Sequence, residues 1–231
     1  MSILLQDLRE EIVFYGRQLL KSGLTMHTGG NLSARDRKTG LVVIKPSSVA
    51  YDKLTAEDVT VITLDGQIVD GNFGPSSEWP MHTMIYKHYP RVCGIVHCHS
   101  LMATAFSAAN MEIPLANHEL SVYCSSPVRV APFEMPGSEE LGKSAIQYLG
   151  DDNNAVLLGN HGPLGMGASL WHAFDTACAI EQAATIAFYA RQLGNFQPVP
   201  VEGRLKLRSC DPLTQPDTCL LYTSPSPRDT R

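Results

Sequence analysis

The sequence lacks the features that mark secreted, membrane-spanning and nucleic-acid-binding proteins. Its N-terminus, MSILLQDLREEIVFYG, contains acidic residues early and no uninterrupted apolar run of signal-peptide or membrane-spanning length. The formal net charge of −5 disfavours general binding to nucleic acid or to an anionic membrane. No internal repeat is visible. We therefore expect a cytoplasmic protein with a small-molecule partner and with neither a nucleic-acid nor a membrane partner.

The cysteines also lack a pattern, since no CxxC pair and no framework spacing occurs. Most lie in apolar stretches, which predicts buried, reduced thiols. Cys98 lies between two histidines on a predicted strand, so its side chain is expected on the opposite face, where it is a poor metal ligand. The six are Cys93, Cys98, Cys124, Cys178, Cys210 and Cys219.

The length and composition predict one globular domain. The chain has 231 residues, of which 44% are hydrophobic and 18% are charged, as in folded proteins. We predict a single domain over residues 1–200 and an unstructured tail over 201–231, where periodicity ends. The final CLLYTSPSPRDTR looks like translated cloning or adapter sequence, which would mean that the natural C-terminus is missing.

Hydrophobic periodicity predicts strands that alternate with helices. An amphipathic helix opens the chain over about residues 5–19, and the longest helix spans about 170–193. LVVIKP, VTVITL, CGIVHCHS, VRVAPF and NAVLLGNHG read as strands, with Asp65-Gly66 as a hairpin turn. HTGGNLSAR and residues 117–126 read as loops. The pattern predicts an α/β fold with a mixed sheet flanked by helices.

Three histidines follow predicted strands and could bind one metal ion. His97 and His99 are two residues apart after CGIV, so their imidazoles can reach the same ion at about 2.0–2.1 Å. His161 ends another apolar run. Three nitrogen ligands with an open fourth position are typical of catalytic zinc, although separate hydrogen-bonded histidines would give the same local pattern.

Three short polar segments suggest an anion site. Backbone N–H groups in glycine-rich turns and at helix N-termini bind phosphate without net positive charge, although turn and capping chemistry explains each segment equally well. Glu78, in the first turn of a predicted helix, could be a capping charge, a general acid or base, or a displaceable metal ligand. The candidate phosphate-binding residues are Gly30, Asn31, Ser47, Ser48, Ser76 and Ser77.

Read together, the segments GGNLSAR, IKPSS, PSSEWPMH, IVHCHS, APFEMPGSEEL and LLGNHG resemble the class II aldolase and adducin superfamily in order and spacing. The resemblance covers about residues 5–200. It implies a mixed sheet in α/β/α layers, one Zn²⁺ per subunit or another divalent metal, and a cyclic homotetramer with active sites at subunit interfaces.

The resemblance also implies roles for individual residues. His97, His99 and His161 correspond to the zinc ligands, and Glu78 to the carboxylate that binds zinc in the resting enzyme and later moves protons. The candidate phosphate residues fall on the family's phosphate loops. His118, beside Glu119, stands where fuculose-phosphate aldolases have a tyrosine proton donor, so we expect it to be catalytic.

The implied reaction is retro-aldol cleavage of a ketose 1-phosphate, similar to L-fuculose 1-phosphate, to dihydroxyacetone phosphate and an aldehyde. The alternative is L-ribulose-5-phosphate 4-epimerase. Lys45 favours the epimerase, whereas Glu78 and the APFEMPGSEEL segment favour the aldolase. A non-catalytic, adducin-like interaction domain is a third reading, and the complete set of histidines argues against it.

Overall fold

An eight-stranded sheet forms the centre of the fold in the computed structural model, which describes residues 3–214. The strand order is β4-β3-β2-β1-β5-β8-β7-β6, and every pairing is antiparallel except that of β6 with β7. The strands are β1 (Asn31–Arg35), β2 (Val42–Ile44), β3 (Thr60–Ile62), β4 (Ile68–Asp70), β5 (Gly94–His97), β6 (Val130–Ala131), β7 (Ala155–Leu158) and β8 (Gly162–Gly167). The helices are α1 (Gln6–Lys21), α2 (Trp79–His88), α3 (Leu101–Ala108), α4 (His118–Tyr123), α5 (Glu139–Leu149), α6 (Leu170–Leu193) and α7 (Val201–Arg208).

Helices cover both faces of the sheet, and alternate strand residues serve the two faces. Val43 and Val96 pack in an apolar cluster with residues of α1 and α6. Val42 and Ile95 point to the other face, where they pack with residues of α2 and α5. The two-residue side-chain period of a strand produces this division. The predicted α/β fold with helices on both sides of a mixed sheet is confirmed.

Three segments differ from the sequence reading. NLSAR is strand β1, because its polar Asn31 and Ser33 pack against α2 instead of facing solvent. The predicted loop after Ala116 contains α4, which Asn117 caps by accepting a hydrogen bond from the Leu120 N–H. Residues 201–214 are ordered, whereas the sequence predicted an unstructured tail there.

The segment after Pro200 was predicted to be unstructured, but it forms α7 and a turn through Thr214. Arg208 donates to Asn154 Oδ1 and forms an ion pair with Asp211, which is fully buried. A buried carboxylate needs such partners, and these contacts attach the segment to the domain. The rest of the predicted tail, residues 215–231, lies outside the described residues.

The topology brings four segments to one end of the sheet. Asn31 at the start of β1 pairs with His97 at the end of β5, and His97 pairs with Leu164 of β8. The short β7–β8 connection carries His161, and α2 begins directly after Glu78. Within residues 3–214, no helix is long and apolar enough to cross a membrane.

Candidate metal centre

His97 is the most buried of the three histidines and is held by the backbone of β8. Its side chain is fully buried, and its Nδ1 lies 3.0 Å from the carbonyl oxygen of Pro163. Because a carbonyl can only accept, Nδ1 carries the proton and donates it. Nε2 therefore keeps its lone pair and points away from the strand as a ligand atom.

The other two histidines present the same atom to the same point. His97 Nε2 lies 3.2 Å from His99 Nε2 and 3.3 Å from His161 Nε2. His99 is exposed and His161 is half-buried, so the group is open on one side. Among the described residues, this trio is the one group of at least three histidine, cysteine or acidic side chains whose ligand atoms come within 4.8 Å of one another.

The spacing of these nitrogen atoms fits a divalent ion. Tetrahedral ligands at about 2.0–2.1 Å from zinc stand about 3.3 Å apart. The observed separations of 3.2 and 3.3 Å match that value. Three imidazole nitrogen atoms this close repel one another when their lone pairs converge, and a shared cation removes the repulsion. The residues present therefore fit a metal, and His97, His99 and His161 form a divalent-metal site.

The pKa values of two histidines agree with neutral ligands. Burial, together with the neighbouring His161 and His99, lowers the pKa of His97 well below its ordinary value of 6.5. Burial and His161 also lower the pKa of His99, although Glu78 acts in the opposite direction. Metal binding needs the neutral imidazole, so these shifts favour the binding form near neutral pH.

Glu78 places a carboxylate against the histidine trio. Its Oε2 lies 3.5 Å from His97 Nε2 and its Oε1 lies 3.5 Å from His161 Nε2. The residue is 5% exposed, and Oε1 has no hydrogen-bond partner although it is buried. A buried carboxylate oxygen without a hydrogen bond is costly, which again fits a cation at this point. The sequence prediction that placed Glu78 with the histidines is consistent with this geometry.

The Glu78 side chain is held by Asn31, which was predicted to bind phosphate, and through it by His82, which was not predicted to be a site residue. Asn31 Nδ2 donates to Glu78 Oε2 over 2.6 Å, and His82 Nε2 lies 2.6 Å from Asn31 Oδ1. His82 is fully buried, and burial lowers its pKa to about 3. Its position four residues after Glu78, on the same face of a predicted helix, was the signal that could have identified it.

Gly30 allows the β1 loop to touch the metal-binding strand. Its φ is +66°, and a Cβ atom there would lie 2.5 Å from the His97 carbonyl oxygen. Both facts require glycine. Asn31 is buried and its side-chain amide is engaged with Glu78 and His82, so a phosphate contact from Asn31 stays a prediction.

The two serine pairs lie on neighbouring loops. Pro46 and Pro75 form an isolated bridge, and the Ser76 N–H donates to the Lys45 carbonyl over 3.0 Å. Ser76 is buried, and its Oγ accepts from the Glu78 N–H. The exposed serines, which remain open to a ligand, are Ser47, Ser48 and Ser77. Phosphate binding by these residues stays a prediction.

Two further predicted residues, His118 and Lys45, lie outside the cluster of three histidines and Glu78. His118 begins α4 with its side chain 71% exposed, and its Nδ1 is 3.2 Å from Glu119 Oε2. Lys45 is buried, with Nζ 3.2 Å from the Pro46 carbonyl oxygen and 4.8 Å from the centre of the Tyr51 ring. Burial lowers the pKa of Lys45 to about 8. Cys98 is buried in the cluster with α1 and α6, away from the metal site.

Comparison with known proteins gives consistent matches. Residues 10–188 match the class II aldolase and adducin N-terminal domain family. The chain is 37% identical over 198 residues to 5-deoxy-D-ribulose 1-phosphate aldolase of Bacillus thuringiensis serovar kurstaki, covering 86% of this chain and 92% of that protein. It is 35% identical over 197 residues to L-ribulose-5-phosphate 4-epimerase UlaF of Salmonella paratyphi B, covering 81% and 86%. A solved L-fuculose 1-phosphate aldolase superposes with a TM-score of 0.83 at 32% identity, covering 88% of this chain and 95% of that one.

Proposed function

Because the chain belongs to the class II aldolase and adducin family, we propose that it cleaves a ketose 1-phosphate to dihydroxyacetone phosphate and an aldehyde. That it is a metal-dependent enzyme of this family follows from the match and from the histidine trio. The single observation that carries the proposal is the convergence of three imidazole Nε2 atoms and the Glu78 carboxylate at one end of the sheet.

We propose Zn²⁺ as the metal, with His97, His99 and His161 as its ligands and Glu78 as a fourth, displaceable one. A bound divalent ion acts as a Lewis acid that polarises the substrate carbonyl and stabilises the negative charge that develops as the carbon–carbon bond breaks. Three imidazole nitrogen atoms and one carboxylate oxygen suit zinc. The choice of zinc over other divalent metals is part of the proposal.

Glu78 is the residue that we propose moves the proton. Its Oε1 has no hydrogen-bond partner, so this oxygen is available to a substrate proton. The carboxylate enters the site from the start of α2, beside the exposed Ser77. A substrate phosphate held by the serine loops would place the adjacent carbons next to Glu78, in reach for general acid–base catalysis.

The phosphate site is proposed on the loops that carry Gly30–Asn31, Ser47–Ser48 and Ser76–Ser77. The hydroxyl groups of Ser47, Ser48 and Ser77 are exposed there. The contacts between the Pro46 and Pro75 loops hold the two serine pairs together, which supports a single anion site. Neutral donors of this kind are sufficient for phosphate when several converge.

We propose that His118, in a cyclic homotetramer, accepts the proton of the hydroxyl group that becomes the aldehyde carbonyl as the carbon–carbon bond breaks, and donates it back in the reverse addition. Its side chain is 71% exposed, which leaves the imidazole free to reach a site in a neighbouring subunit. This arrangement requires that active sites lie between subunits, as the sequence resemblance implies.

Epimerisation of L-ribulose 5-phosphate is the second candidate. It is supported by the similarity to a 4-epimerase and by Lys45, whose buried Nζ contacts the carbonyl oxygens of Thr28 and Pro46, next to the proposed phosphate loops. The aldolase is preferred because a 1-phosphate aldolase relative matches more of the chain at higher identity.

Parallel assays of the Zn²⁺-loaded enzyme separate the two. We expect release of dihydroxyacetone phosphate from 5-deoxy-D-ribulose 1-phosphate or L-fuculose 1-phosphate, abolished by chelation and restored by Zn²⁺. Interconversion of L-ribulose and D-xylulose 5-phosphates without cleavage of either 1-phosphate would replace the aldolase with the epimerase.

A further inference from the structure

A line of buried polar side chains extends from Glu78 into the protein, between β1 and α2. Asn31 Nδ2 donates to Glu78 Oε2 over 2.6 Å, and Asn31 Oδ1 lies 2.6 Å from His82 Nε2. His82 Nδ1 lies 2.7 Å from Ser33 Oγ, which lies 2.8 Å from the Tyr86 hydroxyl. We call Asn31, His82, Ser33 and Tyr86 the β1–α2 relay. All four are buried, and His82, Ser33 and Tyr86 are fully so.

The chemistry of the carboxylate fixes the direction of the hydrogen bonds from Glu78 as far as Ser33. A carboxylate only accepts, so the Asn31 amide must turn its NH₂ group towards Glu78. Asn31 Oδ1 must then accept, which places the imidazole proton of neutral His82 on Nε2.

The same logic continues away from the site. With its proton on Nε2, His82 must accept at Nδ1, so the Ser33 hydroxyl donates to it. Tyr86 lies at the far end of the relay, where its single hydroxyl proton can be donated to Ser33 Oγ, 2.8 Å away, or to the Ser33 carbonyl, 3.0 Å away. Asn31, His82 and Ser33 therefore each donate in the direction of Glu78, and aligned hydrogen bonds polarise one another.

The placement follows from two periodicities. Glu78, His82 and Tyr86 are four residues apart and share one face of α2. Asn31 and Ser33 are two residues apart and share one face of β1. The polar side chains of α2 and β1 meet in the protein interior. Burying them costs desolvation free energy, which apolar side chains at the same positions would not cost. Packing alone therefore does not explain why these positions are polar.

We propose that His82 is a positioning residue for Glu78. His82 fixes the orientation of the Asn31 amide group. Asn31 then holds one carboxylate oxygen of Glu78, and the other oxygen is directed at the metal site. The proposal rests on the proposed function of Glu78 as metal ligand and proton carrier. Without the His82 donor, Asn31 Oδ1 loses its partner, the amide can turn, and an oxygen facing Glu78 would repel the carboxylate.

Two amide substitutions of His82 distinguish the role of its Nε2 atom from that of its Nδ1 atom. In His82→Gln the longer side chain places its NH₂ group near the position of Nε2 and keeps a donor to Asn31. In His82→Asn the shorter side chain reaches only the position of Nδ1, beside Ser33. The two variants have similar polarity, so a difference between them reports the contact with Asn31.

The measurements are kcat and KM for cleavage of the ketose 1-phosphate, Zn²⁺ affinity of the metal-stripped protein, and Tm. We expect His82→Asn to lose about tenfold or more in kcat with KM nearly unchanged, and about tenfold in Zn²⁺ affinity, as for other residues that orient metal ligands. His82→Gln should stay within about threefold of the wild type in both. Ile85→Val, a buried apolar change on α2, controls for stability and should lower Tm alone.

Any result in which the Asn and Gln variants behave alike overturns the proposal, whether both keep kcat and Zn²⁺ affinity or both lose them. The Zn²⁺ titration needs no substrate. If the wild-type enzyme cleaves no ketose 1-phosphate, the proposed function fails, and the difference in Zn²⁺ affinity between the two variants still decides the role of His82.

Discussion

Replacement of Gly30 by alanine tests whether the β1 loop supports the metal site through close backbone contact. Gly30 has a φ of +66°, and an added Cβ would meet the His97 carbonyl oxygen at 2.5 Å and Cys98 Cα at 3.0 Å. The left-handed conformation costs an alanine about 1–2 kcal/mol. The clash is with backbone atoms, which cannot move aside as the end of a flexible side chain can, and overpacking of this kind adds about 1–3 kcal/mol.

Gly40→Ala is the matched control. Gly40 also has a positive φ, +74°, but an added Cβ there has nothing within 4 Å. It should therefore lose only about 1–2 kcal/mol, whereas Gly30→Ala should lose about 2–5 kcal/mol. For a chain of this size each kcal/mol corresponds to about 2–4 °C in Tm.

Urea unfolding of the metal-free proteins and Zn²⁺ titration provide the assay. Gly30→Ala should also weaken Zn²⁺ binding, because the clash moves the backbone that carries His97, while Gly40→Ala should bind Zn²⁺ as the wild type does. Equal unfolding free energies for the two variants, with equal Zn²⁺ affinities, would refute the reasoning.

Three further predictions concern single side chains. His99→Ala should lose both bound metal and activity, as determined by metal analysis of the purified variant, and retained stoichiometric zinc would refute this ligand assignment. Glu78→Gln should fold and keep metal on the three histidines but lose about 10²-fold or more in kcat, and an unchanged kcat would exclude Glu78 as the proton carrier. Burial lowers the pKa of Lys45 from 10.5 to about 8, so between these values the unfolded chain holds the extra proton and the unfolding free energy rises with pH. Lys45→Met should remove roughly 3 kcal/mol of that rise, as measured by urea unfolding at pH 8 and 10.5, and identical slopes for both proteins would contradict it.

The metal site was largely predictable because its residues follow strands with strong apolar patterns. GIVH and AVLL are buried runs, so the histidines after them had to lie at the end of a sheet. What the sequence could not provide was the pairing of β5 with β8, which brings His97 and His161 together across 64 residues. The resemblance of the motif order to that of the family predicted that His97 and His161 bind the same metal ion.

The missed elements share a physical cause. In β1, Asn31 and Ser33 are polar and inward-facing, so NLSAR resembled a loop. The same two residues contact His82, which hydropathy likewise does not mark as a site residue. Buried polar side chains that satisfy one another cannot be recognised from hydropathy, because their partners lie about 50 residues away.

The C-terminal segment illustrates the opposite case. The helix α7 has no buried residue, so its sequence has little apolar periodicity to detect. Its attachment depends on Arg208 and the buried Asp211, two charged residues that pair with each other and with Asn154. The end of the hydrophobic periodicity predicted an unstructured tail here, and contacts between charged side chains leave no such periodicity.

Anomalous diffraction at the zinc edge, from crystals of the Zn²⁺-loaded protein, tests the central claim most directly. The account predicts one anomalous peak per chain, about 2.0–2.1 Å from the Nε2 atoms of His97, His99 and His161. A zinc-loaded crystal without a peak between these three nitrogen atoms, or with its peak on other side chains, would contradict it.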